Sequence, residues 1–363
     1  MEGMKQIAEC FDIRGNVLEI KSLGNGLIND TFRVVTDDGP GYVLQRINNA
    51  IFKDVELLQN NIVCATSHIR SKLEQAGEKD IDRKVLRFIP LKASDRTYWT
   101  DGDSYWRMSA FISDAVTYET VNPEYSYYAG KAFGEFQSML SDIPYQLGET
   151  IPDFHNMELR TRQLEEAVQA DPVGRCSEPE VKTLLEEMRM HAEEMCKAER
   201  MYREGVLPKR ICHCDTKVNN MMFDKEGNVL CVIDLDTVMP SFVFSDVGDF
   251  LRTAANKVAE DSPEIDKVEF DMEIFKSFVK GYLESASSFL TPVEKDNLPY
   301  AAALFPFMQA VRFFADYING DTYYKIRYPE HNLVRTRNQM ALFRSVIARQ
   351  NEMSDFCKSL ETC

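Results

Sequence analysis

The sequence predicts an α+β chain in two lobes, an antiparallel β-sheet with one helix followed by a mostly helical remainder. Three observations lead there. Between residues 17 and 111, short β-rich runs outnumber helical ones. Beyond residue 112, apolar residues recur at helical spacing almost throughout. One hairpin pattern, Met221–Phe223 and Val229–Ile233 with turn residues between, interrupts that helical part. A chain of 363 residues buries a large core, and 44% hydrophobic with 28% charged residues disfavours disorder. The lobes are placed at residues 1–111 and 112–363.

In the first lobe, Val17–Ser22 and Thr31–Thr36 read as strands joined by Leu23-Gly24-Asn25-Gly26-Leu27-Ile28-Asn29-Asp30. Glycine there lets the backbone approach a phosphate closely, which makes Gly24, Asn25 and Gly26 candidate nucleotide contacts. A plain hairpin turn explains the same residues. A third strand, Tyr42–Ile47, follows the Asp37–Gly41 turn. A helix then runs from Asp54 to Gln75, with Val55, Leu58, Ile62, Ala65, Ile69 and Leu73 on one face and Gly77 as its stop. Strands at Lys84–Ile89 and Ser104–Phe111 complete the lobe. Phe111 and Ile112 stand at the expected hinge, where backbone groups can bond an adenine.

In the second lobe, Asn122-Pro123 opens a helix whose buried face is Ala129, Phe133, Phe136 and Leu140. Residues 178–204 read as one amphipathic helix ending at Gly205, Thr291-Pro292 opens another, and Leu333–Leu360 supplies one or two closing helices. On the apolar helix near 301–318, Gln309, Arg312 and Asp316 share a stripe. A buried Arg needs a carboxylate or a polar pocket, so Arg312 either pairs with Asp316 or faces a substrate.

The chemistry concentrates in Ile211–Thr237, ICHCDTKVNNMMFDKEGNVLCVIDLDT. A hairpin returns its end to its start, which should bring Asp215 and Asn220 near Asp234. Phosphoryl transfer needs an acceptor hydroxyl oriented by a carboxylate and metal held on the phosphates by hard oxygen ligands. Protein kinases carry that Asp and Asn five residues apart, with a metal-binding Asp beyond a short hairpin. Asp215, Asn220 and Asp234 reproduce the spacing; ordinary turn residues are the alternative. Asp246, in SDVGD, either supports this loop by accepting backbone hydrogen bonds or caps a helix. The basic residue that kinases carry on the third strand is missing. Tyr42-Val43-Leu44-Gln45-Arg46 offers Arg46 as the nearest cation, with Glu56 as a candidate helix partner.

A net charge of −16 disfavours nucleic acid and anionic membranes as partners. No signal peptide is visible at the N-terminus, and the longest apolar stretch, Ala301–Ala315, is too short and too interrupted to span a bilayer. Nine scattered cysteines point to a reducing, cytoplasmic setting. Cys212-His213-Cys214 lacks the spacing of a zinc site.

Taken together, the chain resembles the aminoglycoside phosphotransferase and choline kinase superfamily, small-molecule kinases of protein-kinase-like fold. The likeness rests on His213-Cys214-Asp215 through Asn220 and on Ile233-Asp234-Leu235-Asp236. Within that superfamily, LGNGLINDTF, HCDTKVNNMMFD, CVIDLDTVMP, SDVGDFLRTAAN and DYINGDTYYKIRYPEHNL are similar to the N-acetylhexosamine 1-kinases. The resemblance implies ATP with Mg2+ and an amino sugar, GlcNAc or GalNAc, phosphorylated at the anomeric hydroxyl. It implies Asp215 as base or orienter, Asn220 and Asp234 as metal ligands with Asp236 as helper, and Arg312, Leu27 and Asn29 at the sugar. Gln45 at the lysine position and Leu27 at a polar sugar position depart from the pattern. Kinases of another small alcohol (a different sugar, choline or an amino alcohol) remain open. So do a nucleotide-binding protein without catalysis and a glycosyltransferase reading of Asp234-Leu235-Asp236. The oligomeric state is not legible.

Overall fold

A computed structural model of the chain describes residues 2–24, 28–119 and 121–361. It divides into two compact units, neither continuous in sequence. One comprises Met1–Tyr118, Met139–Pro152 and Asn219–Met239; the other comprises Glu119–Ser138, Asp153–Val218 and Pro240–Cys363.

The first unit opens with helix α1 (Glu2–Glu9) and strands β1 (Val17–Ser22), β2 (Asp30–Thr36) and β3 (Tyr42–Ile47). Helices α2 (Val55–Gln75) and α3 (Ile81–Lys84) precede strands β4 (Tyr98–Thr100) and β5 (Tyr105–Ala110). The sheet is antiparallel, in the order β1-β2-β3-β5-β4. One face is the apolar core: Val34, Leu44 and Met108 pack with Ala8 and Phe11 at and just beyond α1, all fully buried. Helix α2 starts where Asp54 accepts the Leu57 N–H at 2.8 Å, and its six predicted apolar positions are all buried.

Two expectations change here. Helix α1 carried no sequence signal that distinguished it. The strand expected at 84–89 does not form: Lys84 ends the helical turn α3, and beyond it a single bridge pairs Phe88 with Ser109. The reason lies along β5: β4 occupies that edge opposite Tyr105–Arg107, leaving only its far end, and Pro90 cannot extend a ladder.

Downstream come α4 (Pro123–Leu140), α5 (Met157–Ala170), α6 (Pro179–Met195), α7 (Lys197–Arg203) and β6 (Arg210–Cys212). The hairpin strands β7 (Met221–Phe223) and β8 (Val229–Val232) follow, then β9 (Met239–Ser241) and α8 (Phe244–Ala254). The chain closes with α9 (Met272–Ala286), α10 (Pro292–Asp296), α11 (Leu298–Ile318), α12 (His331–Ile347) and α13 (Gln350–Glu361). The predicted caps are present. Asn122 accepts the Tyr125 N–H at 2.8 Å, and Thr291 with Glu294 forms a capping box. The helix expected over 178–204 breaks at Cys196. The break turns α7 so that Glu199 is buried and accepts the Met157 N–H, at the start of α5, at 2.7 Å.

Close backbone approach organises the second unit. A Cβ on Gly130 would lie 2.0 Å from the Phe278 carbonyl oxygen, and one on Gly281 2.1 Å from that of Tyr127. Helices α4 and α9 therefore touch backbone to backbone, which only glycine permits. Helix α11 is buried along almost its whole length.

Candidate active site

The loop after β6 is irregular and buried, so each of its N–H groups needs a partner. Four consecutive ones have side-chain acceptors. His213 N–H donates to Asp246 Oδ2 (2.9 Å) and Cys214 N–H to Asp246 Oδ1 (2.7 Å). Asp215 N–H donates to His213 Nδ1 (3.3 Å), and Thr216 N–H to Asp249 Oδ2 (3.0 Å). Cys214 is held at φ +63, a strained angle for a side-chain-bearing residue. Asp246 makes no helix-cap bond, so of its two readings the structure selects loop support.

Asp246 is itself anchored. Gln137 Nε2 donates to Asp246 Oδ2 at 2.6 Å, and Tyr282 Oη donates to Gln137 Oε1 at 2.5 Å. Gln137 is on α4 and Tyr282 on α9, so the glycine contact between those helices sets this relay. Burial pushes the Asp246 carboxyl upward, and His213 and the N–H donors of His213, Cys214 and Gln137 act against it. Burial likewise raises Asp249 to about 6. The His213 ring is fully buried, edge-on to Phe133 and Phe136. Cys212 and Cys214 are buried thiols pushed well above their usual range by burial, which fits structural packing. Asp215 ends this construction partly exposed, with Lys217 Nζ 2.5 Å from its Oδ1.

The first unit holds the other part of the motif. Strands β7 and β8 pair Met221 with Val232, and Asn220 O accepts the Ile233 N–H at 2.9 Å, which brings Asn220 beside the approach to Asp234. Asp234 is at φ +61, a second left-handed residue without glycine's freedom. Asp236 is buried and committed: Oδ2 accepts Asn29 Nδ2 at 2.6 Å, and Oδ1 forms an ion pair with Arg107 Nη1. Its backbone carbonyl accepts Thr150 Oγ1 at 3.0 Å. Asn61 of α2 donates to the Val238 carbonyl at 2.9 Å and fixes the end of this turn.

In the second unit, Arg312 of α11 does not pair with Asp316. Asp316 accepts the N–H groups of Thr322, Tyr323 and Tyr324 (2.8–3.0 Å) and Asn332 Nδ2 (2.8 Å), organising the loop after α11. Arg312 Nη1 donates to Gln309 Oε1 at 3.3 Å and lies over the rings of Phe154 and Tyr324. Tyr324 Oη accepts Gln309 Nε2 at 3.3 Å. Arg160 is lowered by burial and then by the charge of Arg312, and His155 well below its usual range by burial and then the same charge. Polar and aromatic groups thus surround a guanidinium with no carboxylate salt bridge among the described residues.

The order of elements has counterparts in known proteins. Residues 19–275 match the sequence profile of the phosphotransferase enzyme family, APH. The chain belongs to that family. Solved structures agree on the fold. An aminoglycoside phosphotransferase from Alicyclobacillus acidocaldarius aligns with a TM-score of 0.60 at 13% identity, covering 96% of each chain. Choline kinase from Cryptosporidium parvum gives 0.57 at 13% identity over 99% of each. An amicoumacin kinase solved with AMP-PNP and Ca2+ gives 0.56 at 13% identity, over 98% of this chain and 93% of that one. The fold is the protein-kinase-like α+β fold, and the chain is a small-molecule phosphotransferase. No helix among the described residues is long and apolar enough to cross a membrane.

The remaining predicted positions of this phosphotransferase are distributed as follows. Gly24 is exposed at φ +70, while Asn25, Gly26 and Leu27 lie outside the described residues. Asn29 is buried against Asp236. Arg46 lies on the opposite face of β3 from Gln45, half exposed, 4.0 Å from Asp30. Phe111 N–H is already donated to the Gly41 carbonyl (3.1 Å), and Ile112 is buried. Glu56 is exposed; the buried polar residues of α2 are Gln59, Asn61 and Thr66. Sequence reasoning missed Asn61, Arg107, Gln137 and Lys217. Only Arg107 had a signal, a lone charge inside the strand Tyr-Trp-Arg-Met-Ser-Ala.

Proposed function

We propose that this phosphotransferase is an ATP- and Mg2+-dependent N-acetylhexosamine 1-kinase, acting on the anomeric hydroxyl of GlcNAc or GalNAc in the cytoplasm. One observation carries the reaction class. The Asp215 N–H and the two N–H groups before it are pinned by buried side chains, which is the preorganisation a carboxylate needs to orient an acceptor hydroxyl. In this reading Asp215 accepts the hydroxyl proton as the oxygen attacks the γ-phosphorus in line, and ADP leaves without a phosphoenzyme. Lys217 sets a positive charge beside that step.

The amide oxygen of Asn220 and the carboxylate of Asp234 are hard donors of the kind Mg2+ prefers, and these two residues would hold it. Magnesium bound there would neutralise phosphate charge. Asp236, with both oxygens engaged by Arg107 and Asn29, serves the turn more than an ion. The amino-sugar assignment rests on the segments similar to N-acetylhexosamine 1-kinases, with Arg312 as the sugar contact. Arg160 and Arg312 together disfavour a cationic acceptor such as choline, since each would have to share space with positive charge.

The test is ADP release from Mg-ATP by purified protein across amino sugars, neutral sugars, choline and homoserine. The expected result is turnover with GlcNAc or GalNAc and a phosphorus NMR signal for a 1-phosphate. Silence with every sugar but turnover with another alcohol would reject the sugar and keep the class. ATP binding without turnover on any acceptor would favour a non-catalytic nucleotide-binding protein.

A further inference from the structure

Strand β3 has Gln45 where a kinase of this type needs a cation for the nucleotide's phosphates, and Arg46 faces the other way. The register resolves the problem. Gln45 is paired with Thr31 of β2 and with Arg107 of β5, so the three share one face of the sheet. That face is opposite the apolar core of Leu44 and Met108. They are also bonded in series: Gln45 Nε2 donates to Thr31 Oγ1 at 3.1 Å, and Arg107 Nε donates to Gln45 Oε1 at 3.0 Å.

We propose that Arg107 is the phosphate-binding cation of this chain, shifted one strand over from β3 to β5, with Gln45 as its orienting residue and Asp236 as its carboxylate partner. The inference rests on the phosphotransferase reading. Its support is local to the first unit. Arg107 is almost wholly buried, and a guanidinium there requires a function or a counter-charge. Its counter-charge is Asp236, two residues beyond Asp234, and Asp236 is also bonded to Asn29 at the end of the glycine turn. The guanidinium is thereby tied to the proposed metal turn and, through Asp236, to Asn29 just before β2.

The arrangement also leaves donors in hand. Nε is committed to Gln45 and Nη1 to Asp236, the latter as an ion pair without an aligned hydrogen bond. Among the described residues no hydrogen bond uses Nη2. An arginine fork so held by two planar partners presents its remaining edge in a fixed direction, as phosphate recognition requires. Gln45 supplies the neutral acceptor that fixes the fork; a lysine at position 45 would instead set a second positive charge against Arg107.

The experiment is nucleotide titration by calorimetry of the full chain, with Mg-ATP and with ATP in EDTA, for wild type and three variants. Arg107→Met should weaken ATP at least tenfold in both conditions, because direct phosphate contact does not depend on the metal. Gln45→Lys in the Arg107→Met background should recover most of the loss, since it returns the charge to β3. Arg107→Met with Asp236→Asn removes the unpaired buried carboxylate, restores thermal stability and should still bind ATP weakly. Wild-type ATP affinity in that last variant would mean that Arg107 only neutralises Asp236, and the proposal falls. An effect of Arg107→Met seen only with magnesium would assign it to the metal turn, with the same consequence. Wild type that binds no ATP overturns the proposal together with the phosphotransferase reading. Arg107→Met that binds ATP as tightly as wild type overturns the proposal alone.

Discussion

Asp246 Oδ1 accepts the backbone N–H of Cys214 at 2.7 Å, across 32 residues of sequence, and Cys214 is the left-handed residue immediately before Asp215. Its second oxygen accepts His213 N–H and Gln137 Nε2. Asparagine has only one acceptor oxygen, and its NH2 group would face an N–H. Asp246→Asn should therefore destabilise the protein by about 3 kcal/mol, the scale of hydrogen bonds to a buried charged group. Turnover should fall at least tenfold through the displaced Asp215. Thermal unfolding and steady-state kinetics check both, and a melting temperature within a degree of wild type would show that the loop holds itself.

Glu199 gives a pH dependence of definite sign. Burial raises its carboxyl to about 7, although the Met157 N–H opposes the shift. A carboxyl raised on folding binds its proton more tightly in the folded state. Its contribution is thus fully present below the unfolded value near 4.5 and is lost as pH rises through 7. Glu199→Gln keeps an acceptor for Met157 and never ionises. It should raise stability at pH 8 by roughly 3 kcal/mol and leave it nearly unchanged at pH 5. Denaturant melts at the two pH values measure the difference; a larger gain at pH 5 than at pH 8 would reverse the argument.

Asp316 gives a prediction about the acceptor. It holds three successive N–H groups of the loop carrying Tyr323 and Tyr324, and Tyr324 bonds Gln309 beside Arg312. In Asp316→Ala those donors lose their acceptor and the loop loses its geometry. The KM for the acceptor should rise about tenfold or more while the KM for ATP changes little, a split that initial-rate kinetics resolves. Equal changes in both would mean a general loss of fold.

Much of this was legible from sequence because it depends on local chemistry. The hairpin at 221–232 follows from two apolar runs around Asp224–Asn228, and the Asn122 and Thr291 caps from single residues. Asp246 was within reach because an acid soon after the loop has few functions other than capping. What escaped depends on contacts between segments distant in sequence. Nothing near Gln137 announces Tyr282, 145 residues away, or the glycine contact that brings them together. Arg107 is a lone charge in an apolar strand, a signal that went unread because its meaning required the register that sets it opposite Gln45. The expected strand at 84–89 failed for a related reason: β propensity does not say which segment occupies an edge first.

The sharpest prediction concerns Asp215 itself. Asparagine is nearly isosteric with it, and the bonds that shape the loop come from backbone N–H groups and from Asp246, Asp249 and His213, none of which the change touches. Losing the charge contact with Lys217 at a partly exposed position should cost less than about 1 kcal/mol, so the fold and Mg-ATP affinity should survive. Asparagine cannot accept the acceptor's proton, and removing a positioned general base lowers turnover by roughly 10²–10⁴. Asp215→Asn should accordingly bind Mg-ATP with unchanged affinity, melt with wild type and release ADP at least a hundredfold more slowly at every acceptor concentration. Turnover within about tenfold of wild type would remove Asp215 from the proton transfer, since a merely orienting hydrogen bond is one that asparagine can still make.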